Sequence, residues 1–232
     1  MPDRVGLARR LASEAVGTAF LLAAVVGSGI MGERLAAGNV AIALLANTIA
    51  TGAALVALIL AFGPISGAHF NPAVTLVDAW QHRISWRQVP GYIGAQLVGA
   101  FCGAGIAHAM FGEPLYAIST HIRSGGAQAF SEFIATFGLI AVIWGVSRTR
   151  STATPFAVGA YITAAYWFTA STSFANPAVT IGRALSDTFA GIRPQDVPGF
   201  ILAQIGGGFA ATLLFRWFRT ESQPVARQTE TH

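Results

Sequence analysis

Ser66-Gly-Ala-His-Phe-Asn-Pro-Ala-Val-Thr75 lies in a long apolar stretch, and its last five residues recur at Asn176-Pro-Ala-Val-Thr180 in a second such stretch. Asparagine is a strong N-cap and proline is favoured in the first helical turn, so each motif predicts the start of a helix. One copy would indicate an ordinary helix start. Two copies inside membrane-length apolar sequence predict two short helices whose N-termini meet within the bilayer.

The composition is that of a membrane protein. Hydrophobic residues make up 53% of the chain and charged residues only 10%, whereas soluble domains carry about 25% charged residues. The net charge is +4, but all fourteen basic residues are arginines that cluster between apolar stretches. This pattern is typical of membrane topology and does not favour a nucleic-acid-binding face. We therefore expect membrane lipid and small molecules as partners, and no nucleic acid.

Windows without charged residues define the expected spans. Residues 35–77 and 151–182 are each too long for one helix, because about 20 residues cross the hydrocarbon core. We place the first break at Gly63-Pro64 and Ser66-Gly67. The full spans are expected at about 15–32, 39–62, 88–111, 128–147, 154–171 and 196–217. Re-entrant half-helices at about 71–80 and 176–186 complete an all-α membrane protein with six transmembrane helices.

The two halves of the sequence resemble each other. The segment Val89-Pro-Gly-Tyr-Ile-Gly-Ala-Gln96 matches Val197-Pro-Gly-Phe-Ile-Leu-Ala-Gln204. Each half holds an odd number of full spans, so the second half must be inverted relative to the first. We expect a single channel domain over residues 1–232, built from inverted repeats at about 8–112 and 126–220. Inverted repeats place the functional site near the bilayer midplane, where broken helices meet.

The arginines also predict the orientation of the chain. In this arrangement ten arginines lie on one side of the membrane, while Arg34, Arg123, Arg183 and Arg193 lie on the other. The side richer in basic residues faces the cytoplasm. Both termini are therefore expected to be cytoplasmic.

The paired motifs indicate how a pore would select its solutes. A helix N-terminus carries positive potential, so two of them meeting at the midplane would repel cations. The side-chain amides of Asn71 and Asn176 would donate hydrogen bonds to a passing oxygen and orient water against proton relay. The other motif residues, which shape the two helix starts, are Pro72, Ala73, Pro177 and Ala178. This combination favours selective permeation of neutral molecules.

Two glutamates occupy matching positions in the first and fourth spans. They are Glu14 and Glu132, each preceded by serine, and no other carboxylate is well placed to enter a span. Intramembrane acids are candidates for proton relays. The symmetry favours a structural role instead, because the unpaired N–H groups of a re-entrant loop must be satisfied within the membrane. We expect each glutamate to brace the loop of its own half.

Non-helical backbone beside the motifs is expected to line the pore. Gly67, Ala68 and His69 precede the first motif, and such backbone is tolerated at membrane depth only where it is buried in protein or lines a cavity. His69 is thus a candidate pore residue, although a lone histidine in an apolar stretch also fits a structural role. Thr172 and Phe174, which precede the second motif, are given the same pore-lining role.

These features resemble the major intrinsic protein family, the aquaporins and aquaglyceroporins. The resemblance covers nearly the whole chain and rests on a specific set of segments: Glu14-x-x-Gly-Thr18, Ser66–Thr75, Gln96, Glu132-Phe133 and Asn176-Pro-Ala178. It implies six spans, two half-helices, a pore in every protomer and a homotetramer. It also implies the inner (plasma) membrane of a bacterium, and neither a cofactor nor a metal.

The sequence departs from the family at the outer constriction. Members usually have arginine directly after the second Asn-Pro-Ala, where this chain has Val179. The spacing of the other constriction positions from the motifs gives Thr51, Ala164 and Ser173. All four are uncharged and small or medium in size, so the resemblance implies a wide, weakly polar filter. Glycerol, urea and neutral metalloid hydroxides such as arsenous acid are the expected solutes, and a bacterial subgroup with this altered filter is linked to arsenic resistance.

Arg183 is a candidate replacement for the missing arginine. It lies four residues beyond Val179, about one turn further out and on nearly the same helix face. A guanidinium there would stand in the outer vestibule. The alternative is an arginine whose side chain snorkels to lipid headgroups.

Other classes of function remain as alternatives. A water-selective aquaporin would share every motif. A secondary transporter also has inverted repeats and broken helices, but the sequence offers no evident intramembrane aspartate and no Arg–Asp pair. A structural tetramer with a closed pore would show no flux. An enzyme is not expected, because no nucleophile is paired with an activating base.

Overall fold

The computed structural model describes residues 5–218, which form eight α-helices and no strand. The helices are α1 (Leu7–Leu35), α2 (Val40–Ser66), α3 (Pro72–Trp80), α4 (Val89–Phe111), α5 (Gly126–Thr149), α6 (Thr154–Phe168), α7 (Pro177–Arg183) and α8 (Val197–Trp217). Short 3₁₀ turns at Ser151–Ala153 and Pro194–Asp196 lead directly into α6 and α8. The predicted all-α architecture is confirmed.

Six helices take the place of the six expected spans. Helices α1, α2, α4, α5 and α8 are long and apolar enough to cross a membrane. Helix α6 has 15 residues and is the shortest of the six. Helices α3 and α7 have nine and seven residues, and they are the two half-helices.

The first helix break lies at Ser66-Gly67, the second of the two predicted positions, and not at Gly63-Pro64. Helix α2 passes through Gly63 and Pro64 and ends at Ser66. Pro64 lacks the N–H that would bond four residues back, so the last turn of α2 has one hydrogen bond fewer, but the helix does not end there. The chain turns at Gly67, which has a φ of 92° and donates its N–H to the Gly63 carbonyl. The glycine at the C-terminus therefore ends the helix, as is common.

The second break also differs in detail from the prediction. Helix α6 stops at Phe168, because Thr169 adopts extended backbone and its hydroxyl donates 2.7 Å to the Ala165 carbonyl. Helix α7 stops at Arg183 rather than near 186. The next N–H groups, beginning with Ala184, bond three residues back instead of four, so the helix tightens into turns.

Glycines let pairs of long helices approach closely. On α4, a Cβ at Gly99 or Gly103 would come within 2.3 Å of an α1 carbonyl oxygen. On α8, a Cβ at Gly207 would come within 2.2 Å of the Phe133 carbonyl on α5. Small residues permit this backbone contact in membrane helices. The pairs α1–α4 and α5–α8 are thus packed in the same way in the two halves.

The backbone before each half-helix has the same shape in both halves. Positive φ angles occur at Gly67, Ala68 and Phe70, and again 105 residues later at Thr172, Ser173 and Ala175. This conformation is uncommon for residues other than glycine. Its recurrence at matching positions supports the expectation of two structural repeats.

Some residues used in the sequence argument lie outside the described range. They are Arg4, Arg219 and Arg227, which entered the count of basic residues on the cytoplasmic side, and the last residues of the second repeat. The membrane orientation therefore stays a prediction.

Candidate functional site: a continuous pore

Both half-helices begin at the motif asparagines. The Asn71 side-chain oxygen accepts the Ala73 N–H at 2.9 Å. The Asn176 oxygen accepts the N–H groups of Ala178 at 3.0 Å and Val179 at 3.2 Å. Each asparagine is thus an N-cap followed by proline, as the sequence predicts.

The asparagine amides also join the two halves. Asn71 Nδ2 donates 2.7 Å to the Ala175 carbonyl, and Asn176 Nδ2 donates 2.8 Å to the Phe70 carbonyl. A side-chain amide has two N–H donors. One N–H of each asparagine is therefore hydrogen-bonded to the opposite half, and the other is available to a solute.

Glu14 holds the loop before the first half-helix. Its carboxylate accepts the His69 N–H at 3.0 Å and the Phe70 N–H at 2.7 Å. It also accepts Ser66 Oγ at 2.6 Å and Gln96 Nε2 at 2.8 Å. The side chain is fully buried. These bonds satisfy donors that would otherwise lie unpaired at membrane depth.

Glu132 does the same in the second half. It accepts the N–H groups of Phe174 and Ala175, both at 2.8 Å, and Gln204 Nε2 at 2.6 Å. Gln204 also donates to Thr180 Oγ1 at 2.9 Å, just as Gln96 donates to Thr75 Oγ1 in the first half. The glutamates serve as hydrogen-bond acceptors for the loops, which is the bracing role expected for them.

One cavity runs past both half-helices. We call the end at Arg183 the outer end and the end at Asp78 the inner end. The predicted residues on its wall are Thr51, Gly67, Ala68, His69, Asn71, Ser173, Phe174, Asn176, Val179 and Arg183. The prolines and alanines of the motifs are buried behind this wall. The cavity therefore connects the outer filter region, the paired asparagines and the inner end.

Two predicted pore residues do not line the cavity. Ala164 is exposed on the outside of α6, because the cavity face of this helix repeats at Val158, Ile162 and Tyr166. Position 164 is about 200° away from position 162 around a helix. Thr172 also lies off the wall, where its hydroxyl accepts from Arg123 at 3.4 Å. Counting from the motif cannot fix the rotation of a separate helix.

Tyr166 lies on the cavity wall, where Ala164 was expected. Its hydroxyl lies 3.3 Å from Thr51 Oγ1. The candidate filter on the cavity wall is therefore the set Thr51, Tyr166, Ser173 and Val179. It contains hydroxyl groups and one aromatic face, and no charge. The four-residue spacing along α6 is the sequence signal that identifies Tyr166.

Arginines stand beyond Val179 at the outer end. Arg183 is 1% exposed, and its guanidinium carbon lies 3.3 Å from the centre of the Phe174 ring. Its Nε donates to the Ala190 carbonyl, and its Nη1 has no partner among residues 5–218. A snorkelling side chain would be exposed, so that alternative is wrong.

Arg123, in the connection between α4 and α5, is a second outer arginine that the sequence analysis did not single out. Its Nε donates 2.8 Å to the Gly191 carbonyl, and its guanidinium lies 5.1 Å from the Phe174 ring centre. Burial lowers the pKa of Arg123 to about 10, which leaves it charged at neutral pH. Within residues 5–218 no carboxylate pairs with either arginine.

An acidic residue that the sequence analysis missed lies at the inner end of the cavity. Asp78 is on α3 and on the cavity wall. Its Oδ2 is 3.2 Å from His69 Nε2, and its Oδ1 is 3.7 Å from Arg83 Nη1. The expectation of no Arg–Asp pair is therefore wrong, because Arg83 lies beside Asp78. Asp78 lies one residue beyond the uncharged window 35–77, so the pattern of charges did not indicate it.

Comparison with known proteins identifies the class. Residues 2–173 match the family model described as major intrinsic protein. The chain belongs to this family, whose members are channels and not enzymes. It is accordingly a membrane channel for water and small solutes.

Particular relatives agree with this class. The chain is 53% identical over 223 residues to aquaglyceroporin AqpS of Rhizobium meliloti (strain 1021), covering 96% of this chain and 95% of the relative. It is 32% identical to aquaporin NIP1-1 of Oryza sativa subsp. japonica, covering 96% and 78%. The X-ray structure of the aquaglyceroporin from Plasmodium falciparum matches with a TM-score of 0.75 and 21% identity, covering 90% of this chain and 96% of that one. The last comparison supports the fold.

Proposed function

We propose that this chain is a passive channel that admits glycerol, urea and neutral metalloid hydroxides such as arsenous acid as well as water. The observation that carries the proposal is Val179 on the cavity wall, at the position where the family resemblance expects arginine. An uncharged filter leaves more room and imposes fewer fixed hydrogen bonds on a passing molecule. The name of the 53% identical relative, an aquaglyceroporin, supports the same solute class.

The lining suits molecules that have both carbon and hydroxyl groups. Thr51 and Tyr166 offer hydroxyls on the filter wall, and the Tyr166 ring offers an apolar face. Further in, the wall carries aliphatic side chains such as Leu55, Ile59 and Val158. Ligand sites generally combine an apolar wall with a few placed polar groups. Glycerol can contact both surfaces at once.

The centre of the cavity supports exclusion of ions. Both half-helices direct their N-termini at the motif asparagines, where positive potential opposes cations. Each asparagine keeps one N–H donor for a passing oxygen, since the other is bonded across the halves. An oxygen that accepts from Asn71 and Asn176 cannot relay a proton through the same lone pairs. Neutral solutes pass this point, and charged species do not.

Stopped-flow light scattering on proteoliposomes tests the solute class. Permeability to water, glycerol and arsenous acid is compared with that of protein-free liposomes of the same lipid. We expect the protein to accelerate all three. Fast water flux with no gain for glycerol or arsenous acid would instead establish a water-selective aquaporin.

Arg183 is expected to contribute to ion exclusion at the outer end. Because its charge is buried at the cavity wall and has no carboxylate partner within residues 5–218, Arg183→Ala should raise proton or potassium leak about tenfold, a change of about 1.4 kcal/mol in the barrier. Leak is measured with a pH-sensitive dye or by potassium-driven potential decay. Arg193→Ala is the matched control, because Arg193 pairs with Asp196 away from the cavity wall. Equal leak in both variants and the parent would exclude the vestibule role.

We further propose a homotetramer in a bacterial inner membrane, with both termini in the cytoplasm. Exposed apolar side chains such as Phe20, Val98 and Leu202 give the helices surfaces for lipid or neighbouring protomers. Mass measurement of the detergent-solubilised protein tests the oligomer. Reporter fusions at each terminus test the orientation, and a reporter active only outside the cytoplasm would overturn it.

A further inference from the structure

The inner end of the cavity mirrors its outer end with the charge reversed. Asp78 follows Asn71 by seven residues, and Arg183 follows Asn176 by seven. Seven residues are almost two helical turns, so each charge lies on the same face as its asparagine and about 10 Å further along the half-helix. Both side chains lie on the cavity wall. The two half-helices therefore present a carboxylate at one end and a guanidinium at the other.

Each charge has an aromatic neighbour at an equivalent position. Two residues before the first asparagine, His69 lies 3.2 Å from Asp78. Two residues before the second, Phe174 lies 3.3 Å from the Arg183 guanidinium carbon. Both pairs lie at equivalent positions of the two repeats. Only the inner pair, His69 and Asp78, places a carboxylate acceptor on the cavity wall.

Asp78 has acceptor capacity that the protein does not use. A carboxylate can accept about four hydrogen bonds. Within residues 5–218 its side chain has one neighbour at hydrogen-bond distance, His69 Nε2, while Arg83 Nη1 lies further away at 3.7 Å. The side chain is 15% exposed. Free acceptor sites therefore face the cavity.

His69 is held so that it can support this acceptor. Its Nδ1 lies 3.0 Å from Thr75 Oγ1, which in turn accepts Gln96 Nε2 at 2.9 Å. A carboxylate only accepts, so the His69 Nε2 that contacts Asp78 carries a hydrogen. This arrangement fixes one oxygen of Asp78 and leaves the other side of the carboxylate open.

We propose that Asp78 forms a binding site for uncharged solutes with several hydroxyl groups at the inner end of the pore. Asp78 replaces water as the acceptor for solute hydroxyls, so it favours polyhydroxylated molecules over water. Arg83 lies beside the carboxylate and offsets its charge, which makes the site less suited to cations. The site rests on the proposed channel function and deepens it by assigning a second place of solute selection.

Asp78→Asn tests the site, because it retains size and removes the charged acceptor. Hydrogen bonds to charged groups are stronger than neutral ones, so glycerol permeability should fall about tenfold while water permeability stays near the parent value. Asp187→Asn is the matched control, since Asp187 is exposed and off the cavity wall. The measured quantity is the ratio of glycerol to water permeability in the same proteoliposomes. An unchanged ratio in Asp78→Asn would overturn the proposal.

A second variant is needed in case Asp78→Asn does not fold. If Asp78→Asn gives no water flux, Asp78→Ser removes the carboxylate and leaves a small neutral hydroxyl, and it should lower the ratio of glycerol to water permeability about tenfold. An unchanged ratio there would also overturn the site. Absence of glycerol flux in the parent protein would instead contradict the proposed solute class, so the two failures are distinguishable.

Discussion

Val179→Arg should suppress the flux of glycerol and arsenous acid by at least about tenfold, equivalent to raising the barrier by about 1.4 kcal/mol. Val179 is 4% exposed and lies on the cavity wall one turn inward of Arg183. A long charged side chain there would fill the filter opposite Thr51 and add a second cation near the first. Water is smaller and should be affected less. Stopped-flow measurement of all three permeabilities checks this result.

The control for Val179→Arg separates size from charge. Val179→Leu adds bulk without charge, so it should reduce glycerol flux less than arginine does. If leucine and arginine reduce flux equally, steric narrowing alone sets the filter. If neither variant changes glycerol flux, the narrowest point lies elsewhere and the filter assignment fails.

Glu14→Gln should cause the largest loss of stability. The carboxylate accepts four donors, and the amide that replaces it would direct its own N–H groups at two of them, such as Phe70 N and Gln96 Nε2. Each unsatisfied buried donor costs about 1–3 kcal/mol, or about 2–6 kcal/mol for two. The apparent Tm should fall by roughly 5 to 20 °C. Thermal unfolding in detergent, followed by intrinsic fluorescence, measures the shift.

Glu113→Gln is the matched control for this stability effect. Glu113 pairs with Arg34 at 2.8 Å, but both side chains are substantially exposed. Surface ion pairs contribute about 0–1 kcal/mol, so the Tm should hardly move. A Tm for Glu14→Gln equal to that of Glu113→Gln would show that the loop does not depend on the buried carboxylate.

The features predicted correctly from the sequence are those that a few neighbouring residues determine. Asparagine followed by proline inside apolar sequence located both half-helices, and the repeated glutamates indicated which groups hold the loops. These features depend on backbone donors and acceptors that must be satisfied wherever the chain lies in the membrane. They are therefore readable without knowledge of the packing.

Features that depend on helix rotation or on chain ends were harder to predict. Ala164 was assigned to the filter by counting, whereas the packed face of α6 presents Tyr166. Asp78 was missed because a charge at the end of an apolar stretch resembles a membrane boundary. Arg123 approaches the Phe174 ring from a loop, and no periodic pattern marks that approach. Each of these positions is fixed by contacts between distant segments.

The bonds that cross between the halves have a consequence for biogenesis. While only the first half of the chain has been synthesised, the Phe70 carbonyl has no Asn176 to meet it, and the amide of Asn71 lacks the Ala175 carbonyl. The newly inserted first half therefore has polar groups without hydrogen-bond partners in the bilayer until the second half packs against it. Assembly of the monomer should behave as a late, cooperative step, and the two halves should recover function when synthesised as separate polypeptides only if they associate.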